Sequence, residues 1–83
     1  MKYPKIKYAK AIDDHTLLIE FDNKQIKKYD ISPLLENEMF FLLKNPIFFK
    51  ALQVDQGGYA VVWNNNTDIS EYELWIHGQD TEL

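Results

Sequence analysis

An 83-residue chain without cysteine must hold together without disulfides or thiolate-bound metal, and its two histidines, His15 and His77, are too few for an evident zinc site. That leaves two sources of stability for a domain near the small end of independent folding: an aromatic-rich core, from five Phe, five Tyr and two Trp, and self-association. The net charge of -4 and the lack of arginine count against sequence-specific DNA reading, and no run reaches transmembrane length or reads as an apolar leader, so a cytoplasmic protein with no membrane partner is expected.

Ile6 to Ile12 (IKYAKAI) alternates in character and predicts a strand. Asp13-Asp14-His15 is a polar break. Thr16 to Phe21 (TLLIEF) puts Leu17, Ile19 and Phe21 on one face, with Thr16, Leu18 and Glu20 on the other. Asp22 to Lys24 is a tight turn, and Gln25 to Ile31 returns as a third strand, giving an antiparallel meander over residues 5–31.

Helix-start grammar then occurs three times. Ser32-Pro33 is a cap residue with proline at the first helical position, opening a short turn over Leu34-Leu35. Asn37 caps a helix over Glu38 to Lys44. Asn45-Pro46 starts another over Pro46 to Leu52, and the proline forces a break because it disfavours helical geometry at Asn45. Leu52 to Asp55, Gln56-Gly57-Gly58 and Tyr59 to Trp63 form a second hairpin over 52–63, with Tyr59, Val61 and Trp63 on one face. Ser70 with Glu73 spells a capping box for a C-terminal turn or helix over Glu71 to His77. The order is β-β-β-α-β-β-α. It predicts one α+β domain over 1–83: an antiparallel sheet, made of the meander and the hairpin, with short helices on one face from the helical segment 33–52 and the C-terminal stretch 70–77.

The Phe40-Phe41 and Phe48-Phe49 doublets supply more rings than one helix face can hide. On an α-helical wheel Met39, Phe40, Leu42 and Leu43 cluster, while Phe41 points away near Lys44. Ile47, Phe48, Phe49, Ala51 and Leu52 cover an arc of roughly 200°, against about 100° for a one-sided helix. Either the neighbouring helix and the C-terminal segment cover the excess, or a second chain does. The expectation is a homodimer or a small protein partner, with Phe41, Phe48 and Ile47 as interface candidates.

Trp63, Asn65 and Asp68 form the alternative, a small-ligand-binding domain or an enzyme whose loop presents a ligand or a cation beside the indole. The competing reading is that Asn and Asp close turns through their own backbone while Trp63 ends a strand in the core. Asp13-Asp14-His15 reads as a solvated loop, and neither a nucleophile elbow nor a phosphate-binding glycine loop is present. No catalytic residue, cofactor or metal ligand is assigned, and a non-enzymatic interaction module is the leading reading. Seven of the nine lysines fall in the first thirty residues. They suit edge protection or an acidic partner better than nucleic acid, which is expected only through a partner.

Three blocks, LLIEFDNKQIKKYDISPLL from Leu17, then Phe40-x-x-Leu43-x-x-Pro46-x-x-Phe49 with Val54-Asp55, then Trp63-x-Asn65-x-x-Asp68-Ile69, carry a family resemblance in their order and spacing. From Ile6 to about Leu74 the chain resembles the bacterial family called domain of unknown function 2442. The resemblance implies a small α+β fold and no established activity. Relatives stand alone or are joined to a helix-turn-helix, and some sit beside another small domain as in toxin–antitoxin modules, which implies a regulatory or antitoxin-like partner. The family usually has glycine where Lys24 and Asn66 stand, implying positive φ at both. Asn66 tolerates that region better than Lys24, so Asn23 is expected to take the left-handed position of the first turn instead.

Overall fold

A computed structural model describes residues 3–81 of the chain. The meander forms as β1 (Ile6–Ala11), β2 (Thr16–Phe21) and β3 (Ile26–Asp30), paired antiparallel with Leu17 opposite both Ala11 and Tyr29. Its period-2 pattern decides the register: Leu17, Ile19 and Phe21 are wholly buried on one face. The β2–β3 turn differs from expectation. Lys24, not Asn23, has the positive φ, 74°, and its N–H donates to the Phe21 carbonyl at 3.0 Å. The Asn23 carboxamide is occupied instead in accepting the Gln25 N–H at 3.0 Å. Asn66 has no positive φ; its N–H donates to Asn64 Oδ1 at 2.8 Å, an ordinary side-chain-closed turn.

Between β3 and the second sheet the chain makes two 3-10 helices, Ser32–Glu36 and Glu38–Lys44, and then α1 (Pro46–Lys50). Ser32 does not cap the first, contrary to its expected role. Ile31 occupies the cap position, and the Ser32 N–H donates to Asp30 Oδ1 at 2.8 Å. Asn37 and Asn45 cap as expected, accepting from the N–H groups of Met39 and Ile47 at 2.9 Å each. The Glu38–Lys44 segment winds at three residues per turn, so Phe40 and Leu43 share an edge. Leu43 is buried and Phe40 half-buried, while Met39 and Leu42, which an α-helical wheel groups with them, are exposed. The last helix stops at Lys50 rather than Leu52 because the chain is drawn at once into β4 (Gln53–Val54).

Next come β5 (Ala60–Asn64), β6 (Thr67–Ser70), α2 (Glu71–His77) and β7 (Gln79–Thr81). Two of these strands lie outside the sequence expectation, and the pairing divides between two sheets with orders β1-β2-β3-β7 and β4-β5-β6. β6 pairs Ile69 with Val61, both buried. β7 is three polar residues held by pairing with β3 and by a 3.1 Å ion pair between Lys27 and Asp80, with the Lys27 ammonium 4.5 Å from the Trp75 ring centroid. Gly58 joins the two sheets. Its φ is 76°, its carbonyl accepts the Ile6 N–H at 2.8 Å, and a Cβ there would lie 2.7 Å from the Ile6 carbonyl oxygen.

The class is α+β with antiparallel sheets and short helices. One core cluster draws Leu17, Ile19 and Phe21 from the first sheet, Val61 and Ile69 from the second, and Leu43, Phe49 and Leu74 from the helices. Phe21 meets Trp75 edge-on at 5.2 Å between centroids. No helix among the described residues is long and apolar enough to cross a membrane.

Candidate functional site

The stretch from Asn37 to Lys50 is held to the fold at a few points along its length. Two asparagine caps satisfy the N–H groups that open its second 3-10 helix and α1, and Leu43 and Phe49 anchor it in the core. Phe40 and Phe48 lean half-buried against that core. The remaining large side chains turn outward: Met39, Phe41, Leu42 and Ile47 are 64%, 61%, 48% and 83% exposed. Hiding each such side chain from water is worth about 1.5–3 kcal/mol, and here four within nine residues are left facing it. Of the interface candidates, Phe41 and Ile47 stand on this face, whereas Phe48 contributes only its half-exposed side.

The charges around this face are asymmetric. Glu36 and Glu38 lie at its start and Lys44 at its end, and among the described residues none of the three is in an ion pair. Lys44 Nζ sits 5.3 Å from the Phe41 ring centroid. Lys50 is engaged with Asp14 at 3.2 Å.

The three ligand-loop residues do not converge. The Trp63 indole donates Nε1–H to the Phe49 carbonyl at 2.7 Å and stacks on the Phe49 ring, so its polar atom is spent inside the fold. Asn65 is exposed in the β5–β6 turn. Asp68, opposite Val62, borders a groove of about 380 Å³ shared with Leu34, Phe40 and Glu73, which neither Trp63 nor Asn65 lines.

A second cleft, of about 520 Å³, adjoins that groove through Leu34 and Glu73 and is lined by Lys28, Tyr29, Asp30 and His77 among others. Its floor is a hydrogen bond from the Tyr29 hydroxyl to Glu73 Oε2 at 2.8 Å. Burial and then the Glu73 carboxylate hold the Tyr29 hydroxyl well above its ordinary pKa. His77 Nε2 lies 3.9 Å from the other Glu73 oxygen. The sequence points Glu73 elsewhere, back to the Ser70 backbone, as the far half of a capping box. Only the near half forms, with Ser70 Oγ accepting the Glu73 N–H at 3.1 Å. Tyr29 and Glu73 are 44 positions apart, and no local signal announces their meeting.

Asp13 and Asp30 titrate below the ordinary carboxylate range. Asp13 does so chiefly because it accepts the His15 N–H, and Asp30 chiefly through its hydrogen bonds with Ser32. His15 Nδ1 lies 3.4 Å from Asp30 and 3.7 Å from Asp13. Among the described residues no group of three or more His, Cys, Asp or Glu is placed to hold a metal ion.

The family model described as protein of unknown function (DUF2442) matches residues 6–79. No curated protein and no solved structure gives a significant match.

Proposed function

The chain belongs to the DUF2442 family, and from that premise we propose that it is a non-enzymatic interaction module that pairs with a second copy of itself through the Met39–Ile47 face. The observation that carries this reading is the exposure of Met39, Phe41, Leu42 and Ile47 together on a segment pinned by buried Leu43 and Phe49. Charge selects the second copy as occupant. A two-fold, antiparallel pairing of the segment with itself sets Glu36 and Glu38 of one copy beside Lys44 of the other, so the acid-to-base polarity of the face is self-complementary. On this reading the domain acts by binding, as a small regulatory or antitoxin-like partner whose dimer is its working unit.

The test is the solution mass by sedimentation at micromolar concentration. The unmodified chain is expected to run as two copies, and Phe41→Asp with Ile47→Asp as one copy with an unchanged circular dichroism spectrum. A one-copy mass for the unmodified chain, or a dimer indifferent to both changes, rules the reading out.

A further inference from the structure

The second sheet has the order β4-β5-β6, so β6 (Thr67–Ser70) is paired on one side only. In an antiparallel ladder the backbone groups of alternate residues point toward the neighbouring strand and away from it. Two bonds fix the phase here. The Glu71 N–H donates to the Tyr59 carbonyl at 2.9 Å, and the Asp55 N–H donates to the Ala60 carbonyl at 2.8 Å. Ala60 therefore bonds toward β4 and turns no backbone group to Ser70 opposite it. By alternation Val61 and Ile69 bond each other, while the N–H and C=O of Asp68 and the N–H of Ser70 point off the free edge. Both residues are exposed, and among the described residues no loop carbonyl accepts from either N–H. The edge borders the groove of about 380 Å³, whose apolar walls are Leu34, Phe40 and Ile69. Among the described residues its ionisable groups are Asp68 and Glu73, both acidic, and Asp68 is in no ion pair. Lys28 and His77 line the adjoining cleft instead.

We infer that β6 takes an added strand, an extended basic segment of a partner protein that lies along this edge and fills the groove. The backbone sets the form of the occupant. Outward N–H groups two residues apart match the repeat of an extended chain, which neither a helix nor a small cation can follow. The side chains set its composition. A residue opposite Asp68 exchanges both backbone bonds with it and places its side chain on the same face, where lysine or arginine meets the carboxylate. The next residue points to the other face, that of buried Ile69, where half-buried Leu34 and Phe40 offer contact to an apolar side chain. The partner segment thus alternates basic and apolar residues. An acidic peptide or a nucleic acid would be repelled by the same two carboxylates. The edge is separate from the exposed side chains of Met39–Ile47, and the inference holds whether or not the chain dimerises.

The experiment uses the full chain and three fluorescein-labelled heptapeptides: one of alternating Lys and Val, one with Glu in place of Lys, and the Lys-Val peptide N-methylated at its lysines. N-methylation removes the backbone N–H groups that would face β6 and keeps every charge. Anisotropy at low salt gives the affinity, and amide shifts in an NMR titration give the location. The Lys-Val peptide is expected to bind, to shift Asp68, Ile69 and Ser70, and to slow hydrogen exchange at the Asp68 amide. Asp68→Lys is expected to weaken that binding roughly tenfold. Asp68 is exposed, so the variant is expected to keep its thermal midpoint. The inference is overturned by no binding of the Lys-Val peptide, by equal binding of either control peptide, by shifts that avoid Thr67–Ser70, or by indifference to Asp68→Lys.

Discussion

The meander β1–β3 and the segment Ser32–Lys50 contain similar side chains and dispose of them differently. In β2 every second residue goes inward, so Leu17, Ile19 and Phe21 vanish from the surface together. In the helical segment, a 3-10 helix and a five-residue α-helix each bury one large side chain, Leu43 and Phe49, while Met39, Phe41, Leu42 and Ile47 remain outside. A strand paired on both sides is constrained along its whole length, whereas a capped short helix is held at a few points and can leave apolar groups free for a partner. The first region supplies stability and the second supplies surface.

The contrast is broken or sharpened most strongly by deleting rings. Phe21→Ala is expected to cost about 3–5 kcal/mol in urea denaturation, whereas Phe41→Ala should shift the stability of the single chain by no more than about 0.5 kcal/mol. Equal losses would mean that the helical segment is as much a part of the core as the strands.

A smaller effect lies at the contact between the meander and α2. Tyr29→Phe removes the hydrogen bond to Glu73 and should cost about 1–2 kcal/mol near neutral pH. Because the folded Tyr29 holds its proton above the ordinary value of 10.0, the unmodified chain keeps that contribution below pH 10.0 and loses it progressively as pH rises further. Tyr29→Phe should lack that alkaline loss, and parallel alkaline unfolding curves for the two chains would contradict the pairing. The smallest effect lies at the meander's turn, where Lys24→Gly should raise the urea midpoint by the equivalent of ~1 kcal/mol through relief of the left-handed backbone at φ 74°.

Much of the fold was legible in short stretches. Thr16–Phe21 and Glu71–His77 match their sequence bounds, and the caps at Asn37, Asn45 and Ser70 form, because alternation and capping act over at most a few residues. The Glu38–Lys44 wheel failed because it assumed 3.6 residues per turn where the chain adopts three, which moves Met39 and Leu42 from the buried side to the outside. Phe41 escapes that error, since both windings leave it outward. The lysine clustering was visible along the chain, but not that Lys5 and Lys27 are committed to Glu71 and Asp80.

The sequence by itself determined the three strands, the proline breaks, the capped helix starts and the surplus of apolar rings, because each follows from neighbours along the chain. Only the tertiary structure decided that Gln79–Thr81 is a strand, that Thr67–Ser70 joins a second sheet, that Glu73 serves Tyr29, and that Lys27 is spent on Asp80 and Trp75. These depend on partners tens of residues away. Three polar residues become a strand only where β3 offers them an unpaired edge, and a carboxylate leaves its cap only where a buried hydroxyl needs an acceptor.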